Sequence, residues 1–271
     1  MDSKRESFIK KSRESVRTAL QSRDMLITNV QRSIDELTAV KNALGERLEE
    51  WYAVYFPELR LEDKTKFAQI AYAFDKKGDK KTIESIVGVK KANDIMEIAS
   101  RSLGADLQEE DLSKCKSFAK AILDIDKLIS DYENYQENLC NEICPNITAV
   151  AGAAIAAKLI SHVGSLSRLS LLPASTIQVL GAEKALFKHL KNRRIDPPKH
   201  GIIFQHVYIS SSPKAVRGKI ARALANKITL AAKADEFTKN FIGEQVRKDF
   251  EKRYEEIMEA YKKSKTIGSG Q

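Results

Sequence analysis

Ile27, Val30, Ile34, Leu37, Leu44, Leu48, Trp51 and Tyr55 recur at alternating steps of three and four, with Lys41 in the one gap. That spacing keeps a single apolar stripe on a helix through four heptads, and Pro57 ends it. The pattern returns in Phe118, Ile122, Ile125, Ile129, Tyr132, Gln136, Leu139 and Ile143, with Pro145 as its stop. Two matched seams around an insert predict a long antiparallel coiled-coil hairpin over 25–146, with a helical tip at 58–108. Lys41 and Gln136 put polar groups into the seams, which weakens packing while fixing register.

Residues 147–263 read as a second, compact helical unit. An Ala-rich helix opens it over Ile147 to Val163. Ser175 and Thr176 follow Pro173 as helix caps. Ala182, Ala185, Leu186 and Leu190 supply the apolar positions of the next helix, and Lys184, Lys188 and Lys191 form a ladder on a neighbouring face. Asp196-Pro197-Pro198 ends that helix and Lys199-His200-Gly201 makes a turn. The run GIIFQHVYI reads as an extended, buried stretch. Ser212-Pro213 opens a helix with Val216, Ile220, Leu224, Ile228 and Ala231 inward, and a charged helix runs from Thr238 to Lys263. Residues 1–24 read as a basic helical segment and 264–271 as a flexible tail. With only 12 Gly and 6 Pro in 271 residues, turn-rich β architectures are disfavoured and the fold class is all-α.

Net charge is +9, but its placement is more telling than its size. Ten Lys and Arg lie between Lys184 and Arg222, with Asp196 the one acid among them, whereas Asp106 to Asp111 is acidic. Solvated helix faces ordinarily mix signs, so a one-sign ladder beside a rigid Pro-Pro turn points to a polyanion, with sequence-blind, salt-sensitive phosphate binding. Cys115, Cys140 and Cys144 are an odd number without a Cys/His cluster; they read as structural thiols in a reducing compartment, not as a zinc site. Phosphate loops, GxGxxG, HExxH and nucleophile elbows are absent, so no metal and no cofactor are expected and an enzyme is disfavoured. The most apolar stretch is broken by Lys158 and His162 and is too short for a membrane span.

The wording of these segments is specific. GSLSRLSLLPASTIQVLGAEKALFKHL (164–190), PPKHGIIFQH and RGKIARALANKITLAAKAD resemble the Nop domain, and LEEWYAVYFPEL (48–59) resembles the coiled-coil signature of its box C/D branch. The likeness covers about residues 10–262 and is to the archaeal Nop protein of box C/D ribonucleoproteins and its eukaryotic nucleolar relatives.

Several expectations follow from the resemblance. The family is all-helical and non-catalytic, a scaffold of a guide particle for RNA 2′-O-methylation. It dimerises through the coiled coil, here by Ile34, Leu37, Leu44, Leu48, Ile122, Ile125, Ile129 and Leu139. Its Nop domain holds box C/D guide RNA at a kink-turn, together with a ribosomal-protein-like kink-turn-binding protein. Lys184, Lys188, Lys191, Arg193, Arg194, Lys199 and His200 would face RNA. Glu183, Ala185 and Phe187 would meet protein or core, and Gly152, Gly164 and Gly181 would serve backbone or packing. Fibrillarin is recruited in the family largely through an N-terminal globular domain. A short basic segment stands before the seams here, so weak fibrillarin contact is expected. The lack of a lysine-rich tail favours an archaeal, cytoplasmic setting; a eukaryotic chain would be nucleolar. The rival within the family is a spliceosomal-type scaffold without a methyltransferase.

Overall fold

The computed structural model describes residues 2–21, 23–74 and 80–268, and among them there are helices and no strands. Contacts divide the chain into two units, Ser33–Glu133 and Met1–Arg32 with Asn134–Gln271. The helices, in order, are α1 (Asp2–Gln21), α2 (Asp24–Tyr52), α3 (Lys64–Ala73), α4 (Lys80–Val87), α5 (Val89–Ser100), α6 (Glu109–Ile143), α7 (Pro145–Ala151) and α8 (Ala153–Val163). They continue as α9 (Leu166–Leu171), α10 (Ala174–Val179), α11 (Glu183–Lys191), α12 (Val207–Ser210), α13 (Arg217–Lys233) and α14 (Gly243–Gly268). The units meet inside α2 and α6, not at the 25–146 limits expected of a coiled-coil domain.

In the Ser33–Glu133 unit, α2 and α6 carry the two seams. Ile34, Leu48, Ile122 and Ile129 are buried, while Leu37, Leu44 and Ile125 are half-buried. Lys41 at its polar seam position reaches Asp126 at 2.7 Å, and Thr65 on α3 donates to the same carboxylate at 3.1 Å. Leu48 and Ile122 continue into an aromatic core with Tyr52, Phe56, Phe67 and Phe74, closed by Ile70, Ile83 and Ile95 from α3, α4 and α5. Asp63 caps α3 through the amides of Thr65 and Lys66. The α6 helix begins nine residues before the heptads do, because Glu109, Glu110 and Asp111 suit a helix N-terminus.

In the other unit the second polar seam position is also satisfied. Gln136 donates to Gln31 at 3.0 Å, and both are buried. Within this unit Arg23 pairs with Glu142 and Gln31 with Gln136, so partners step down α6 as they step up the chain into α2, which is the antiparallel order. Leu139 is buried there too. Replacing Gln136 by Leu alone removes its hydrogen bond to Gln31 from a buried position and should lower stability by about 1–2 kcal/mol. Converting both to Leu should recover most of that loss in urea unfolding.

The Ala-rich segment is two helices rather than one. α7 and α8 bend by 119° at Gly152, whose φ is +84°. Among the described residues, no single helix is long and apolar enough to cross a membrane. The N-terminus of α7 is capped from 88 residues away: Asp235 accepts the amides of Asn146 at 3.0 Å and Ile147 at 2.9 Å. Asn146 in turn donates to Asp235 at 2.7 Å and takes the Ile242 amide at 2.6 Å. Burial pushes the Asp235 carboxyl above its ordinary value, against the pull of these donors. Asp24 caps α9 in the same way, at the Leu166 amide.

Three expectations change. The run GIIFQHVYI is not extended: Ile202–Gln205 is a 3-10 turn and Val207–Ser210 a helical turn, with Ile203 and Ile209 buried. A short apolar run has no period to separate these conformations. The helix expected at Ser212-Pro213 starts at Arg217, whose guanidinium is held on the Ser212 and Ser210 carbonyls at 2.8 and 3.1 Å. The last helix starts at Gly243 rather than Thr238, because a wide π turn at Ala234–Thr238 and a left-handed Lys239 (φ +57°) intervene. It runs to Gly268, and the remainder of the expected tail, 269–271, lies outside the described residues.

Candidate nucleic-acid interface

The basic segment is assembled from the α10–α11 corner outward. Gly181 turns the chain at φ +84° and its amide meets Glu183 Oε1 at 2.7 Å. The same oxygen lies 2.8 Å from His162 Nε2 at the end of α8. Burial opposes ionisation of Glu183, yet the Gly181 and Glu183 amides and His162 together hold its carboxyl below the usual range. Glu183 is thus an anion tied down by its own chain, a role its position in the sequence did not disclose.

α11 has nine residues and none is buried. Lys184, Lys188 and Lys191 share one exposed stripe. Ala185 is exposed as well, Phe187 is 66% exposed and Leu190 55% exposed. The expected apolar packing stripe therefore buries little: Leu186 is half-buried and Leu190 faces solvent. Glu183, Phe187 and Leu190 lie about 100° round from the lysines, so the helix presents two adjoining surfaces, cationic and apolar. Neither Ala185 nor Phe187 belongs to the core.

The turn that follows is stitched back onto the corner. His189 binds the Ile195 carbonyl, and the Arg194 amide donates to Asn192. Gln178 donates from its side chain to the Lys199 carbonyl at 2.8 Å and accepts the Gly201 amide on its own carbonyl at 2.9 Å. The Ile202 amide meets the Leu180 carbonyl at 2.7 Å. Gly201 sits so close that a Cβ there would stand 1.9 Å from the Leu180 oxygen, inside any allowed contact. Gly218 at the start of α13 passes just under Lys199, with room for a Cβ at 3.6 Å. Lys199 and His200 are thereby brought to both the α10–α11 corner and the N-terminus of α13.

His200 stacks on Phe204 with ring centres 4.4 Å apart and planes at 15°, and the Arg217 guanidinium lies 5.3 Å from the same Phe204 ring. Burial, and then the charges of Arg217 and Lys199, depress the His200 pKa, so the ring is neutral near pH 7. Lys184, Lys188, Lys191, Arg193, Arg194 and Lys199 are exposed, and none has an acidic partner among the described residues. Unpaired exposed cations around a neutral, ring-braced histidine can grip a phosphate backbone, but they include no stacking platform for bases. Phe204, Gln178 and His162 were not foreseen, and Arg217 only as one of the ten basic residues of the segment, since only the fold places them here.

No group of three or more His, Cys, Asp or Glu side chains suited to a metal ion occurs among the described residues. The three cysteines are free and buried.

Comparison with known proteins gives one consistent answer. The family model for Nop, described as snoRNA binding domain, fibrillarin, matches residues 33–256. The chain is 41% identical over 256 residues to an uncharacterized NOP5 family protein of Methanocaldococcus jannaschii, covering 93% of this chain and 61% of that relative. It is 35% identical over 257 residues to nucleolar protein 56 of Schizosaccharomyces pombe, covering 89% of this chain and 51% of that one. For human nucleolar protein 56 the figures are 32% over 253 residues, 89% and 42%. The chain thus spans about half the length of the curated relatives it matches. Among solved structures, that of a fibrillarin/Nop5p complex superposes with a TM-score of 0.54 at 28% identity, over 93% of this chain and 77% of that chain.

Proposed function

The chain belongs to the Nop family, and from that premise we propose that it is a non-catalytic scaffold of a box C/D guide ribonucleoprotein, one that directs 2′-O-methylation of RNA. The observation that carries the reading is α11. A helix with no buried residue, a lysine ladder on one side and exposed Phe187 and Leu190 on the next is built to be covered from two directions. RNA phosphates suit the lysines, and a kink-turn-binding protein suits the apolar side. The PPKHG turn would add Lys199 and His200 to the RNA side.

Fibrillarin enters the proposal as the methyltransferase partner, because the solved relative was determined in complex with fibrillarin. Self-association through the coiled coil belongs to it as well. Ile34, Leu48, Ile122 and Ile129 are already buried by the chain itself, so a second copy would use residues such as Val40 and Leu128, which are 48% and 39% exposed. The setting would be the archaeal cytoplasm; relatives named nucleolar protein 56 place eukaryotic members in the nucleolus.

The test is a gel shift with kink-turn RNA, with and without the kink-turn-binding protein. The chain alone should bind loosely and salt-sensitively. With the second protein present, binding should tighten at least about tenfold, which takes only ~1.4 kcal/mol of coupling. Equal affinity in both arms would remove the composite site. Recovery of spliceosomal RNA instead of C/D guides in a pull-down would redirect the reading to a particle without a methyltransferase.

A further inference from the structure

The loop joining α5 to α6 holds an apolar residue out in solvent and braces it there. Leu103 is 92% exposed. Glu58 takes the Leu103 amide at 2.9 Å and the Ser102 hydroxyl at 2.7 Å, and Ser102 Oγ takes the Gly104 amide at 3.2 Å. The Ala105 amide bonds the Val54 carbonyl at 2.9 Å. Gly104 is pressed so tightly to the segment after α2 that a Cβ would lie 2.0 Å from the Tyr55 oxygen. This bracing sets the Leu103 loop against Val54, which is 53% exposed. Three residues earlier is Trp51, 41% exposed and edge-on to Phe118 at 6.1 Å.

Acids predominate around the Leu103 loop, although Arg101, which is paired with Glu97, and the exposed Lys114 are also near. Asp106, Glu109, Glu110 and Asp111 are exposed, and none is in an ion pair among the described residues. Asp111 precedes Phe118 by seven residues on α6 and so shares its face. The helix dipole accounts for acids in the first turn of α6. It does not account for a rigid loop that spends several hydrogen bonds to display a leucine. Folding gains nothing from Leu103 in that position, whereas a binding surface gains an ordered apolar anchor at little entropic cost. An acidic rim repels RNA and attracts a cationic partner.

We propose that Trp51, Val54 and Leu103, rimmed by these acids, form a docking site for a basic amphipathic helix of another protein, separate from the lysine face of α11. The docked helix lays its apolar side on the three anchors and its Lys or Arg side chains over the rim, the helix-on-groove mode of recognition. Charge complementarity selects this occupant over nucleic acid.

Trp51 is the single tryptophan of the chain, so its emission reports on the patch directly. The probe is a synthetic helical peptide of about 18 residues, long enough for a stable turn count, with a Leu stripe on a Lys background. A control peptide carries Glu for every Lys. The Leu/Lys peptide should shift Trp51 emission to the blue and saturate. Leu103→Asp should weaken it about tenfold or more with an unchanged melting temperature, although the variant adds a negative charge. Glu109→Lys with Glu110→Lys should weaken it similarly. Undiminished binding to Leu103→Asp would reduce the effect to charge attraction and overturn the proposal. So would an equal response to the Leu/Glu peptide or to single-stranded RNA. An emission shift on raising the protein's own concentration, without peptide, would assign the patch to a second copy and overturn it too.

Discussion

Replacing Lys184 and Lys188 together by Ala should weaken the ternary complex with kink-turn RNA and its binding protein by at least about tenfold. The slope of log affinity against log salt should flatten by roughly one to two units, since each lost phosphate contact contributes about 0.7–0.9. The variant should fold normally. Both side chains are exposed, neither has an acidic partner among the described residues, and α11 buries none of its residues. An effect on binding therefore cannot be charged to misfolding. His200→Ala should also weaken the complex but leave the slope nearly unchanged, because burial and the neighbouring Arg217 and Lys199 keep the ring uncharged. A salt titration of the three proteins decides the matter. An unaltered slope in the double lysine variant would place the RNA on another face.

Gly201→Ala should be the most damaging small substitution in the Nop domain. The added Cβ would fall 1.9 Å from the Leu180 oxygen and 2.7 Å from its carbonyl carbon, so backbone must move. Moving it breaks the Gly201–Gln178 and Ile202–Leu180 hydrogen bonds that hold the PPKHG turn. Two bonds at ~1 kcal/mol each, with steric strain of ~1–3 kcal/mol, predict a loss of about 3–5 kcal/mol. Gly218→Ala is the matched control. Its Cβ would meet Lys199 at 3.6 Å, an ordinary contact, at a helical position where Ala is favoured. Urea unfolding should show a large drop for the first variant and little change for the second. Equal midpoints would mean that the turn adapts freely and is no rigid part of the site.

How far the sequence announced this molecule depends on the length of the pattern involved. The seams of α2 and α6 repeat over four heptads, so their pairing and even the polar positions Lys41 and Gln136 were legible. The lysine ladder was legible for the same reason, as a helical spacing of like charges. Which face of α11 would be covered was not. Periodicity separates faces but does not say whether the apolar one is covered within the chain, and Phe187 and Leu190 stay largely exposed. The run from Gly201 to Ile209 was misread because nine apolar-rich residues fit turn and strand equally. Contacts between distant positions left no local trace at all. Asp235 capping α7, Gln178 holding Lys199, and His162 engaging Glu183 are each set by the fold.

One consequence of the unburied α11 concerns timing and order more than shape. Nine residues are too few to sustain a helix in water by propensity alone. This one is secured chiefly at its ends, by Glu183 with Gly181 and His162, and by His189 with Ile195. The first ligand to cover either face therefore spends part of its binding energy on quieting the helix. The second finds that entropy already lost and binds the more readily, even if no atom has changed its mean position. On the proposed reading, cooperation between RNA and protein at such a surface would come through the ordering of a helix that the core leaves uncovered.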